Sequence, residues 1–337
     1  MKRINGYLDI EQYFKQQLKR KNLDLDMLED KKIIKGEYGG SNCMFWFNYL
    51  GVDVLFKVYT TTFGAYSELI SEALAKKLGL PSAQYDLGTF QGRKGVITYD
   101  FKNNEYEYLY VGKLLDTFIN EKDIINTESE EDTYNEYYLR DYTDLIKNKL
   151  KNNFEDIWNA LEYYLYNKTN YPKEIIPELV VKVMRQLTDY FSFELISGNY
   201  DMHLGNISIG FNKYKPDVLV APLYDNGDMF KMSGENTYIQ PNTPQFVLNR
   251  GNIVEGYTSA ELLQEYLNIS DEEFVNRFKC LINMIDENTL NEIYTYVEEK
   301  TSTFIPDDIK ETYAKMFYDN LNELKKVLVE YEQKRSF

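Results

Sequence analysis

Asp201, Asn206 and Asp225 fall in one stretch, Phe193 to Gly227, which also holds the chain's single histidine, His203. An aspartate that can take a proton from a hydroxyl, then an amide oxygen and a second carboxylate that can hold a divalent cation, is a set suited to phosphoryl transfer with Mg²⁺. Asn, Asp and Gly are also the commonest turn residues, so this chemistry has to be weighed against the rest of the chain. For His203 two readings stand: a neutral imidazole satisfied by backbone that supports the loop, or a direct phosphate contact.

Upstream lie residues that could hold a phosphate chain. Gly36, Gly39, Gly40 and Ser41 form a glycine-rich turn whose backbone N–H groups could approach phosphate oxygens, because glycine has no Cβ to block them. An ordinary hairpin turn uses the same residues. Lys57 sits in the apolar run Val52–Tyr59, where a lysine is costly unless paired or facing a ligand; an amphipathic stem reaching out at a sheet edge is the other reading. Glu68 and Glu72, one helical turn apart, could each pair with that lysine. Both lie off the apolar stripe, so the plain reading for them is a solvated face. Backbone near Ile97–Tyr99 would then meet a nucleotide's adenine edge.

The elements that must position these residues follow from periodicity. Met44–Phe47, Val52–Tyr59, Ala83–Phe90 and Gly95–Tyr99 read as strands. Ser67–Leu78 reads as a helix with Tyr66, Leu69, Ile70, Ala73, Leu74 and Leu78 on one stripe, stopped by Gly79 and Pro81. Beyond Phe101 the pattern turns helical: Val111–Phe118, Tyr142–Lys151, Ile157–Tyr166, a buried central helix over Glu178–Ile196, then Ser259–Leu267, Asp271–Ile285, Asn288–Lys300 and Pro306–Gln333. A hairpin with a strand at Val218–Ala221 separates Asn206 from Asp225, and Lys231–Arg250 reads as a long loop. A helix is expected around Ile10–Leu18, and Cys280, in an apolar helical run, is expected to pack. The switch near residue 101 predicts an α+β chain of two lobes, a small β-rich one over 1–100 and a large helical one over 101–337.

Composition narrows the partners. A net charge of −16 argues against broad binding to nucleic acid, which needs lysine and arginine on phosphates. Two cysteines and one histidine cannot make a common zinc site or a disulfide framework. The chain has neither an apolar run of about 18 residues nor, at its start, the apolar core of a signal peptide, so a cytoplasmic protein without a membrane partner is expected. With 31 tyrosines in the chain, no single tyrosine carries weight.

A glycine-rich hairpin, Lys57, Glu68 on a helix, a β-to-α switch, a buried helix, Asp201…Asn206, a hairpin and Asp225 stand in the order of a kinase-like fold. The chain resembles the HipA-like serine/threonine kinases. The likeness lies in Asp201-x-His203-x-x-Asn206, in Leu219-x-x-Pro222-Leu223-Tyr224-Asp225, and in Ser67-Glu68 followed by Leu74-Ala75-Lys76-Lys77-Leu78-Gly79-Leu80-Pro81. Tyr38-Gly39-Gly40-Ser41 looks like the loop of the shorter, CtkA-like members. The resemblance implies ATP and Mg²⁺, with Asp201 as base, Asn206 and Asp225 as metal ligands, Lys57 on the phosphates and Glu68, rather than Glu72, as its partner. It implies a protein substrate such as a translation factor, a small antitoxin-like protein partner, and autophosphorylation at Ser41. Two departures stand out: Gly205 occupies the place of a family lysine, and only the stretch before Lys31 precedes the kinase pattern, without the family's extra β-rich module. A nucleotide-binding pseudokinase serving as an interaction module, and a lipid or small-molecule kinase, are the competing expectations.

Overall fold

The computed structural model describes residues 3–4, 6–10, 12, 44–49, 52–59, 62–90, 92–121, 153–199, 205–227, 229, 232–233, 237–238, 259–269 and 272–335. These divide into two compact units. The first takes its residues from 1–101, 222–239 and 284–318, and the second from 102–221, 240–283 and 319–337.

The first unit is built on a sheet of six strands: β1 (Arg3–Ile4), β2 (Tyr7–Asp9), β3 (Met44–Tyr49), β4 (Val52–Val58), β5 (Tyr85–Phe90) and β6 (Arg93–Tyr99), in the order β1-β2-β5-β6-β4-β3. All neighbours are antiparallel except β2 and β5, where Leu8 lies opposite Gly88. Side chains alternate across a strand, so Val54 and Phe56 of β4 share one face with Phe45 and Phe47 of β3, Ile97 of β6 and Leu8 and Ile10 near the start of the chain. The Phe45 ring lies 4.9 Å from that of Phe90 and 5.4 Å from that of Phe56, an edge-packed aromatic centre. The same alternation turns Lys57 to the opposite face. β2 is a strand that the sequence reading did not anticipate; of the helix expected over Ile10–Leu18, residues 11 and 13–18 lie outside the described residues.

Helix α1 (Thr62–Lys77) starts earlier than its apolar pattern. Leu69, Ile70, Ala73, Leu74 and Ala75 are all under 5% exposed, and Gly79 at φ +70 ends the helix in the left-handed region where only glycine is free of strain. After Pro81 the chain bonds to a distant segment: Ala83 N–H donates to the Leu223 carbonyl at 2.8 Å, and Leu223 N–H to the Pro81 carbonyl at 3.0 Å. That pairing brings Leu223–Gly227 alongside β5.

The second unit has a three-stranded antiparallel sheet of β7 (Tyr106–Tyr110), β8 (Ser208–Asn212) and β9 (Val218–Val220), in that order. β7 departs from the helical pattern expected beyond residue 101. Its alternating Tyr-Glu-Tyr-Leu-Tyr suits a strand, but its partner, β8, is remote in sequence. The helices α2 (Val111–Glu121), α3 (Asn153–Lys168), α4 (Ile176–Ser197), α5 (Ser259–Ile269) and α6 (Glu272–Asn283) belong to this unit, and the expected helix over Tyr142–Lys151 lies outside the described residues. α4 is the central helix. Pro177 sits in its first turn, thirteen of its residues are buried, and Gly198 at φ 64 caps its end. α6 buries Phe274, Val275, Phe278, Leu281 and Ile282. Cys280 falls off that stripe and is exposed, which corrects its expected place in the packing. α7 (Thr289–Thr301) belongs to the first unit, while α8 (Asp307–Arg335) contributes to both. β10 (Met232–Ser233) and β11 (Thr237–Tyr238) pair antiparallel within the expected long loop. No helix among the described residues is long and apolar enough to cross a membrane.

Candidate functional site

Three elements of the first unit bring ionisable side chains together. β4 presents Lys57, α1 presents Glu68, and the turn after Leu223 presents Asp225. The Lys57 ammonium lies 3.7 Å from Glu68 Oε1 and is hydrogen bonded to Asp225 Oδ1. Glu68 is 1% exposed and Glu72 6%, which overturns the solvated-face reading of both. The helix turns its polar stripe towards the sheet and α7, and each carboxylate is neutralised there. Glu72 accepts hydrogen bonds from Lys300 of α7 at 2.5 and 2.6 Å and from the Tyr85 N–H at 2.8 Å. The choice between the two glutamates, open on periodicity, is decided by distance: Glu68 meets Lys57, and Glu72 is paired with α7.

Glu68 is fully used. Its Oε1 accepts a hydrogen bond from the Tyr59 hydroxyl at 2.5 Å, and its Oε2 one from the Asn226 N–H at 2.9 Å. Burial pushes its carboxyl above the ordinary glutamate range, and the neighbouring Lys57 only partly offsets that. Burial alone would pull the Lys57 ammonium down, but the Asp225 and Glu68 carboxylates outweigh it and hold it above the usual lysine value. The lysine therefore stays charged throughout the physiological range.

Asp225 adopts φ 61, a left-handed conformation that aspartate tolerates better than most residues. Its N–H donates to the Tyr85 hydroxyl oxygen at 3.0 Å. Burial raises the Tyr85 phenol well above its ordinary value, with Glu68 adding to the effect. Of the two carboxylates beside Lys57, Asp225 keeps 38% of its side chain exposed and Glu68 1%. A hard cation can reach the first and not the second, so the donor chemistry at Asp225 fits Mg²⁺.

Asn206 belongs to the second unit, at the entrance to β8. It is 6% exposed, and its carbonyl accepts a hydrogen bond from the Tyr190 hydroxyl of α4 at 2.9 Å. At the end of α4, the Asn320 amide donates to the Leu195 and Ile196 carbonyls at 2.9 and 3.1 Å. Asp201, His203, Gly39, Gly40 and Ser41 lie outside the described residues; Gly205, in a turn, is within them. Ile97 lies opposite Phe56 on one side and Asp86 on the other, and its side chain is fully buried. Tyr99, at the end of β6, lies opposite Val54, and its N–H donates to the Gln84 carbonyl at 3.2 Å. Sequence reasoning missed Tyr59, just past the end of β4, and Tyr85, in β5, whose hydroxyls meet Glu68 and the Asp225 N–H, because a chain so rich in tyrosine gives none of them a distinguishing signal.

Compared by sequence, the chain matches no model of a protein family and no curated protein. Compared by structure, it is similar to the Helicobacter pylori proinflammatory kinase CtkA, with 17% identity and a TM-score of 0.57 over 87% of this chain and 95% of that one. It is also similar to HipA of the Shewanella oneidensis MR-1 toxin–antitoxin system, solved with HipB and its operator DNA, with 14% identity and a TM-score of 0.52 over 96% of this chain and 72% of that one. At these identities the likeness establishes the fold. The chain has a mixed α+β, kinase-like architecture with its β-sheet in the N-terminal region and helices in the C-terminal region, and it resembles CtkA and HipA over most of its length.

Proposed function

We propose that this chain is a HipA-like kinase that transfers the γ-phosphoryl group of ATP to a serine or threonine hydroxyl of a protein. The observation that carries the reading is the convergence of Lys57, Glu68 and Asp225, which are remote in sequence, on one side of the first unit's sheet. Lys57 binds the α- and β-phosphates, and Glu68 holds the lysine in place. Asn206 and Asp225 hold Mg²⁺, which when bound supplies charge neutralisation to the phosphates. Asp201 accepts the hydroxyl proton, and Ser41 in the glycine-rich loop is the autophosphorylation site. A translation factor is the proposed substrate, and a small antitoxin-like protein the proposed partner.

Gly205 favours a second reading. Where the family has a lysine before the metal-binding asparagine, this chain has no side chain, which removes one γ-phosphate contact and suits a pseudokinase that binds nucleotide without turnover. One assay separates the readings: radiolabelled ATP and Mg²⁺ with wild type, Asp201→Ala and Asp225→Ala, product label being resolved into protein, lipid and small molecules. Transfer to protein that falls at least about a thousandfold in both variants is the expected result, since such groups act on the transition state. Binding without turnover establishes the pseudokinase. Label in lipid or small molecules alone replaces the protein substrate, and absence of nucleotide binding removes the whole reading.

A further inference from the structure

The turn that carries Asp225 is gripped by two tyrosines. Tyr85 is 3% exposed, and its hydroxyl oxygen accepts the Asp225 N–H at 3.0 Å. The next N–H, that of Asn226, goes to Glu68 Oε2 at 2.9 Å, while Glu68 Oε1 is taken by the Tyr59 hydroxyl at 2.5 Å. Two successive backbone donors of a left-handed turn thus end on two buried acceptors, and the second acceptor is itself oriented by a phenol. The Tyr59 ring also fills space that two glycines leave open. A Cβ at Gly227, in the turn, or at Gly64, in the first coils of α1, would collide with it. The Lys57 ammonium lies 5.1 Å from the centre of the same ring.

We infer that Tyr85 and Tyr59 are positioning residues that latch the Asp225–Asn226–Gly227 turn in its left-handed form and so aim the Asp225 carboxylate at the cation; the metal clause rests on the function proposed above. Within its own backbone the segment closes a bond from the Met229 N–H to the Asn226 carbonyl at 3.1 Å, while the N–H groups of Asp225, at φ 61, and of Asn226 are held by side chains of other elements. Tyr85 imposes the left-handed form directly at Asp225. Tyr59 acts one step removed, by fixing the rotamer of Glu68 and by packing on Gly227. Neither phenol touches the reacting atoms in this role.

Tyr85→Phe and Tyr59→Phe keep the ring and delete one hydroxyl each, so they leave the packing intact. Two readings are taken on the full chain: amide hydrogen exchange without metal, and calorimetric titration of Mg²⁺ in the presence of ATP. Each variant is expected to speed exchange at Asp225 and Asn226 by about tenfold, the equivalent of about 1.4 kcal/mol, with α1 and β5 unchanged, and to raise the Mg²⁺ needed for half-saturation several-fold. Unchanged exchange in the turn overturns the latch. So does exchange that rises equally through the first unit, which is a structural effect only, and so does turn-specific exchange with an unaltered Mg²⁺ titration. If wild type binds no Mg²⁺ and ATP, the proposed function falls, while the exchange measurement still decides whether the two phenols hold the turn.

Discussion

Lys57 shows how burial and pairing set the charge of a group. Desolvation disfavours its ammonium, yet two carboxylates within reach reverse the balance. Lys57→Met removes that cation and leaves Glu68 buried with its lysine gone. Deleting one member of a buried ion pair costs about 3–5 kcal/mol, and the lower end is expected here because Asp225 remains partly exposed. The pH dependence has a definite sign. Burial holds the Glu68 carboxyl above its ordinary range, so its ionised form is a cost to folding. That cost is absent below the unfolded carboxylate value of about 4.3 and grows as pH rises towards the folded value. Removing Lys57 enlarges it. The stability gap between Lys57→Met and wild type, read from urea midpoints, therefore narrows as pH is lowered from about 7 to about 4.5. A gap that is constant or widens on acidification refutes the assignment.

Helix α1 is held on its polar side as firmly as on its apolar one. Its apolar stripe, with Leu69, Ile70, Ala73 and Leu74, is buried. On the polar side Lys300 of α7 reaches Glu72, and Lys77 reaches Glu292 of α7 at 2.6 Å. The second pair is exposed and contributes about 0–1 kcal/mol. The first is not. Glu72 is 7% and Lys300 23% exposed as side chains, so Lys300→Met strands a buried carboxylate that also holds the Tyr85 N–H. A loss of about 2–3 kcal/mol is expected, falling below about 1 kcal/mol when the same change is made in a Glu72→Gln background. Chemical denaturation of the four proteins of that cycle provides the measurement, and equal losses in both backgrounds would show that the pair is not coupled.

The whole chain carries a net charge of −16, so an anionic ligand must be met by a local device rather than by the field of the molecule. Lys57 is the device proposed for this in the first unit. Non-specific association with duplex DNA requires several phosphate contacts, which a strongly negative net charge disfavours. At about 150 mM salt, a gel-shift titration with random-sequence duplex should show no retardation at micromolar chain. Retardation that weakens steeply with added salt would reveal a basic surface that the overall charge conceals.

Much of this architecture is legible along the chain because it depends on local period. Alternation in Val52–Tyr59 turns Lys57 away from Phe56, and the three-to-four spacing of α1 with Gly79 and Pro81 predicts that helix and its end. The order of Lys57, Glu68, Asn206 and Asp225, with the motifs around them, is enough to suggest the kinase-like fold that structural comparison establishes. What period cannot convey is which remote groups meet. The burial of Glu68 and Glu72 on a face that looks solvated depends on Lys57, Lys300 and the Asn226 N–H, all supplied from other elements. The exposure of Cys280 and the pairing of β7 with β8 are likewise set by neighbours distant in sequence. Only the tertiary structure decided that Leu223 pairs beside Pro81 and Ala83, bringing Asp225 to Lys57 and two otherwise undistinguished tyrosines to its turn, because hydrogen bonds and ion pairs depend on distance in space and sequence spacing does not encode that distance.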